Sequence, residues 1–280
     1  MTNKICMITG ATSGIGKETA SALAQKGARV VIIGRNKKKC IETINSIKKE
    51  TGNSLIEYIL ADLSSLKQVR EVVKQFSERY QLLDVLVNNA GGYFIRRQQS
   101  DDGYEMNLAL NYLSPFLLTT LLIDMLKASD QGRVINVSSG AHARGNIQFD
   151  NLQYKHDFIG FDAYAQSKLA LILFTYELSR RLQGTNITVN ALHPGLVDTN
   201  FGKNNGLIRF YLRRLVKRGK IEITPMEGAK TSIYLAGSEA LNHCTGGYYI
   251  NEKKTDSSLA SYDLSVARSL WSITKELVGG

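Results

Sequence analysis

A chain of 280 residues with 43% apolar content can bury a sizeable core as one α/β domain. Its three cysteines, Cys6, Cys40 and Cys244, are too few and too scattered for a disulfide framework or a metal knuckle, so a reducing, cytoplasmic setting and no metal are expected. The net charge of +10 invites a nucleic-acid reading. However, seven basic residues and no acidic one lie between Lys203 and Lys220, so most of the excess is local, and no aromatic stacking platform or nucleic-acid motif accompanies it.

The chain opens without a charged, apolar and cleavable leader, and no run approaches the roughly 18 consecutive apolar residues that span a bilayer. Short apolar or β-branched runs at Ile5–Ile8, Arg29–Ile33, Leu55–Leu60, Val85–Asn88, Val134–Val137, Thr188–Ala191 and Gly247–Ile250 alternate with longer stretches of helical period. That alternation predicts a doubly wound, mostly parallel seven-stranded α/β sheet with right-handed crossovers, and one domain over residues 1–280. Two helix starts are marked by capping boxes, Ser65 with Gln68 and Thr224 with Glu227, the latter with Pro225 in the first helical position.

The first strand runs into "TGATSGIG" at 9–16, with Gly10, Gly14 and Gly16 ahead of the helical "GIGKETASALAQKG". Glycines here let the backbone turn tightly against a pyrophosphate, and the free amides of the helix start face the anion. The spacing differs from the G-x-G-x-x-G of the common dinucleotide fingerprint. The second strand ends in "VVIIGRNKKK", without the acid that would grip the ribose of NAD. Arg35 suits the 2′-phosphate of NADP instead, because its guanidinium fork matches phosphate oxygens, so NADP (NADPH) is favoured over NAD. Lys37 to Lys39 are read as the solvated face of the next helix.

Asp62, in "ADLSS" after the third strand, can accept from an adenine amino group or simply cap a helix. "NNAGG" at 88–92 ends the fourth strand with small residues that let a ribose lie against the backbone, though it also reads as plain turn chemistry. "RVINVSSGA" ends the fifth with Ser138 and Ser139, where a hydroxyl can donate to a carbonyl oxygen as charge develops on it. In "YAQSK", the i to i+4 spacing puts Tyr164 and Lys168 on one helix face. An ammonium beside a phenol favours phenolate, so the Tyr164 pKa is expected to fall toward the working range.

TGxxxGxG at 9–16, Asp62, NNAG at 88–91, Asn111, Ser139, YxxxK at 164–168 and PG at 194–195, in that order, resemble the short-chain dehydrogenase/reductase family over essentially the whole chain. "FDAYAQSKLALILFTYELSRRLQGT", "HPGLVDT" and "GAKTSIYLA" further resemble its retinol dehydrogenase branch, which reduces or oxidises lipophilic aldehydes and alcohols. The resemblance implies a catalytic set of Ser139 polarising the carbonyl, Tyr164 as general acid/base, Lys168 binding the nicotinamide ribose and lowering the Tyr164 pKa, and Asn111 holding a water that relays protons to Lys168. It implies cofactor contacts from Gly10, Ser13, Gly14, Ile15, Gly16, Arg35, Asp62, Leu63, Asn89, Ala90 and Gly91. Further contacts come from Tyr164, Lys168, Pro194, Gly195, Val197 and Thr199, the last four flanking the nicotinamide; Ser138 is given no catalytic role. Homo-oligomers are common in the family, and a homo-oligomer is the expectation here.

Ser139 and Tyr164 are 25 residues apart, a long insert shared with the retinol dehydrogenase branch and expected to border the substrate pocket. Within it His142 either touches substrate or is solvated. Membrane-bound members of that branch carry an amino-terminal anchor; none precedes the glycine loop, so a lipophilic carbonyl or alcohol other than retinoid is the expected small-molecule substrate. Residues around 200–222 fall where the family places a substrate lid. Ile208, Tyr211, Leu212 and Leu215 make an apolar stripe among the basic residues, read as pocket cover or, alternatively, as weak peripheral contact of 203–220 with an anionic membrane. The expected function is therefore an NADP-dependent oxidoreductase. Its alternative, an NADP(H)-binding redox sensor with little turnover, is expected to lack Tyr164 or Lys168.

Overall fold

Each predicted apolar run becomes a strand in the computed structural model, which describes residues 1–195 and 224–279. The strands are β1 (Ile5–Thr9), β2 (Arg29–Gly34), β3 (Ile56–Leu60), β4 (Val85–Asn88), β5 (Gly132–Val137), β6 (Ile187–His193) and β7 (Gly247–Ile250). An eighth, β8 (Lys253–Thr255), was not foreseen. The sheet order is β3-β2-β1-β4-β5-β6-β7-β8, with all pairs parallel except β7–β8. Ile250 pairs with Lys253, so the hairpin turns on Asn251 and Glu252, both at positive φ as a two-residue type I′ turn requires. β8 is exposed and carries no apolar residue, so hydrophobic patterning could not reveal it.

Among the described residues seven helices flank the sheet: α1 (Gly14–Gln25), α2 (Lys37–Thr51), α3 (Leu66–Ser77), α4 (Met106–Lys127), α5 (Gly160–Arg181), α6 (Pro225–Gly237) and α7 (Leu264–Leu277). Strand alternation sends Met7, Val31, Ile33 and Leu86 into a core shared with α3, α4, α5 and α7. Cys6, Ile8, Val30, Ile32 and Val87 face the opposite way, toward α1, α2 and α6. Burial on both faces is what makes these strands continuously apolar, each large side chain contributing about 1.5–3 kcal/mol. α4 is long and apolar enough to cross a membrane by composition, yet most of it is buried in the protein core.

The chain order reverses between β1 and β4, and ligands bind outside the carboxyl ends of the strands at such a switch. Beneath that crevice a buried polar rung holds the central strands together. Asn88 Nδ2 donates to Thr119 Oγ1 (2.9 Å) and Asn136 Oδ1 (2.8 Å), and Asn136 Nδ2 donates to Thr175 Oγ1 (2.9 Å). The capping box of Thr224 and Glu227 forms as predicted, with Pro225 in the first turn. The one at Ser65 does not: its hydroxyl makes no cap bond, Leu66 N donates to Asp102 Oδ2 (2.7 Å), and Gln68 Oε1 accepts from Asp62 N (2.8 Å).

Candidate active site

Between β1 and α1 the glycine loop is packed too tightly for side chains. Gly10 and Gly14 have φ of 65° and 56°, and a Cβ on Gly10 would sit 2.8 Å from Ala90 Cα. One on Gly16 would sit 2.7 Å from the Gly10 carbonyl oxygen. Thr9 joins this loop to the end of β4. Its hydroxyl accepts from Asn89 N and Ala90 N, both at 2.9 Å, while Asn89 Nδ2 donates to the Thr9 and Gly10 carbonyls at 2.8 and 3.2 Å. Ser13 precedes α1 without a side-chain cap bond, so its hydroxyl does not close off the amides of Gly14, Ile15 and Gly16.

Arg35 follows β2, more than two-thirds exposed, with Nη1 3.9 Å from Asp62 Oδ2 after β3. The other oxygen of Asp62 accepts from Ser64 N (3.0 Å) and Ser64 Oγ (2.7 Å), so the carboxylate is fixed beside the guanidinium, and Leu63 next to it is buried. Lys37 to Lys39 are solvent-exposed on the first turn of α2, as expected. The glycine cradle, the start of α1 and the Arg35 fork together fit a dinucleotide carrying a 2′-phosphate.

At the carboxyl ends of β4 and β5 the four expected catalytic residues converge. A π-turn at Ala109–Leu113 within α4 carries Asn111, whose Oδ1 accepts from Gly92 N (2.8 Å). Its Nδ2 donates to Gly92 O (2.9 Å) and Ser167 Oγ (3.0 Å). Lys168 Nζ donates to the Val137 carbonyl at 3.1 Å. Gly91 lies between these two, because a Cβ there would be 3.0 Å from Asn111 Oδ1 and 3.3 Å from Lys168 Nζ. Ser139 hydrogen-bonds the Tyr164 side chain. Its neighbour Ser138 instead donates to the Lys168 carbonyl (2.9 Å), bracing α5 against the end of β5. Tyr93, not foreseen, packs its ring against that of Tyr164, tilted by 43° with centroids 5.2 Å apart.

The expected drop in the Tyr164 pKa is not met. Burial pushes the phenol up to about 12, opposed by the hydrogen bond from Ser139, while burial alone pushes Lys168 down to about 8. The reason is geometric: Lys168 Nζ is spent on the Val137 carbonyl and stands 5.9 Å from the Tyr164 ring centre, so desolvation outweighs attraction.

His142 is neither solvated nor placed to touch substrate. It is buried, and both its ring nitrogens are engaged, Nδ1 with Ser139 O (2.7 Å) and Nε2 with Ser258 N (3.1 Å). The insert that carries it borders a cavity of about 230 Å³ lined by residues 149–153, Lys155, His156 and Leu277, which includes none of the catalytic set. Pro194 and Gly195 directly follow β6, Gly195 with φ of 86°. Val197, Thr199, the lid around 200–222 and the basic segment 203–220 lie outside the described residues.

Comparison with known proteins agrees with this geometry. The chain is 41% identical to human retinol dehydrogenase 13 over 288 residues, covering 99% of this chain and 85% of that protein. It is 40% identical to human polyprenol dehydrogenase, covering 99% and 86%. Among solved structures, the Pseudomonas aeruginosa RhlG/NADP active-site complex matches with a TM-score of 0.71 at 29% identity, covering 89% of this chain and 94% of that one. The short chain dehydrogenase family profile matches residues 4–207, and the chain belongs to that family.

Proposed function

We propose that the chain is an NADP-dependent oxidoreductase acting on the carbonyl or alcohol group of a lipophilic small molecule. The observation that carries this reading is the convergence of Asn111 and Lys168 on Gly91 and of Ser139 on Tyr164, at the carboxyl ends of β4 and β5. Relatives named for retinol and polyprenol support the lipophilic substrate. The NADP-bound RhlG neighbour and Arg35 support the choice of cofactor.

When bound, the cofactor supplies or accepts the hydride. Gly10, Ser13, Gly14, Ile15 and Gly16 would hold its pyrophosphate, Arg35 its 2′-phosphate, Asp62 and Leu63 its adenine, and Asn89, Ala90 and Gly91 its ribose. Lys168 would hold the nicotinamide ribose, and Pro194 and Gly195 would flank the nicotinamide. In reduction, Tyr164 Oη donates its proton to the substrate oxygen while the Ser139 hydroxyl steadies the charge developing there. Burial keeps Tyr164 protonated at neutral pH, which is the form reduction needs. Asn111 fixes the Gly91–Gly92 backbone and, through Ser167, the start of α5 that carries Tyr164.

The test is a matched calorimetric titration of NADPH and NADH, followed by NADPH oxidation with aliphatic, aromatic, retinoid and long-chain aldehydes. Tighter NADPH binding with turnover of any aldehyde supports the proposal. Tighter NADH binding removes Arg35 from its role, and tight NADPH binding without turnover favours the redox-sensing alternative.

A further inference from the structure

Two histidines close on the turn that carries Ser139, from opposite sides. Ser139 ends β5 and precedes the 3-10 turn Gly140–Arg144 in extended backbone. Its carbonyl accepts from His142 N (3.1 Å) and faces His142 Nδ1 (2.7 Å), while His142 Nε2 faces the Ser258 amide (3.1 Å). A backbone amide can only donate, so Nε2 must be the bare nitrogen, and Nδ1 must carry the proton it gives to Ser139 O. The next peptide is held by His193. Gly140 N donates to His193 Nδ1 (3.1 Å), and a Cβ on Gly140 would lie 3.2 Å from His193 Nε2. His193 is therefore bare at Nδ1 and, when neutral, protonated at Nε2, the opposite tautomer.

Each ring ties the serine turn to a different part of the site. His193 is the last residue of β6, directly before Pro194 and Gly195. His142 reaches the carboxyl-terminal segment, where Ser257 Oγ pairs with Tyr176 OH on α5 (2.7 Å) and Tyr262 stacks on Tyr176 at 5.3 Å. Tyr176 is on the helix that carries Tyr164 and Lys168. We propose that His142 and His193 are positioning residues for Ser139, a neutral pair that fixes the serine turn between the end of β6 and the carboxyl-terminal segment. The inference rests on the oxidoreductase reading above.

Both rings must be neutral for the pair to hold, because a second proton on either would point at an amide N–H already aimed there. The surroundings favour that state: burial lowers the pKa of both, against the bond to Ser139 O that opposes the shift at His142, and a charge on His142 would lower that of His193 further. Among the described residues, the titratable groups around them are Tyr248 on β7, its ring tilted by 58° to that of His142 at 5.0 Å, and Tyr164 and Lys168 on α5, against which the serine turn packs. The 251–258 segment adds Glu252, Lys253, Lys254 and Asp256, and none of these enters the shift of either ring.

The test combines nitrogen-15 histidine spectra across a pH series with reduction kinetics for wild type, His142→Phe and His142→Asn. The expected spectra show Nδ1–H in His142 and Nε2–H in His193 at neutral pH. The rate of wild-type reduction is expected to fall on acidification below the ordinary histidine value of 6.5, in step with those signals. His142→Phe keeps the ring packing but loses both bonds. It is expected to lower kcat by about 10- to 100-fold with the NADPH Kd unchanged, while His142→Asn, whose amide can still donate to Ser139 O, recovers most of it. The opposite tautomers, or a His142→Phe enzyme with wild-type kcat and acid limb, would overturn the proposal, as would equal loss of kcat, NADPH binding and Tm in both variants. Failure of the oxidoreductase reading shows separately, as NADPH binding without turnover of any aldehyde in the wild type, and the tautomers then still decide whether the pair clamps the turn.

Discussion

Losing one oxygen atom at Tyr164 separates chemistry from binding. Tyr164→Phe keeps the ring packed beside Tyr93 and removes the proton that reduction requires. Its kcat is expected to fall by about 10²–10⁴-fold with NADPH affinity nearly unchanged, measured by steady-state rates beside calorimetry; a sizeable residual rate removes Tyr164 from its role. Arg35→Ala should do the reverse. The guanidinium lies on the surface in a long, exposed ion pair with Asp62, so its loss costs little stability. NADPH binding should weaken by about 1.5–3 kcal/mol, roughly 10- to 150-fold, while NADH binding stays where it was. Equal weakening of both cofactors would show that Arg35 does not read the phosphate.

Among the elements, the start of α6 offers a clean measure of local design. Thr224 and Glu227 exchange bonds across the first turn, and Leu235 and Ala236 farther along the helix fill the core beside α1. Thr224→Ala should lower unfolding free energy by about 1 kcal/mol in denaturant titration, with no change in NADPH affinity. This cap was legible in the sequence because both partners belong to one turn. The Ser65 cap was misread because Gln68 turns its side chain to Asp62 N instead of Ser65 N, while Asp102, 36 residues from Leu66 in sequence, accepts from the first helical amide. The same division holds elsewhere. Strands buried on both faces announced themselves by composition, and β8 did not, because its three residues are exposed and pair only through backbone. The catalytic set was readable as ordered motifs at strand ends, whereas the work of Thr9, His142 and His193 depends on partners brought together only by the fold.

For the whole molecule, the consequence of enclosing Lys168 is a stability that is sacrificed at neutral pH. The ammonium is buried among the ends of β4 and β5 and the body of α5, and its pKa drops from 10.5 to about 8. The folded state then binds this proton less tightly than the unfolded chain. The penalty is fully present below pH 8, shrinks as pH rises from 8 to 10.5, and is gone above that range. Its size is on the order of 2–3 kcal/mol, against about 1 kcal/mol for the bond that Lys168 gives the Val137 carbonyl. Lys168→Met should therefore abolish turnover yet raise Tm by a few degrees at pH 7, and that gain should fade as the measurement moves toward pH 10.5. Thermal unfolding of the cofactor-free wild type and variant across that range checks it. A variant less stable than wild type at pH 7, or a gain that does not depend on pH, would mean that the buried ammonium is already compensated and that α5 is not held under electrostatic strain.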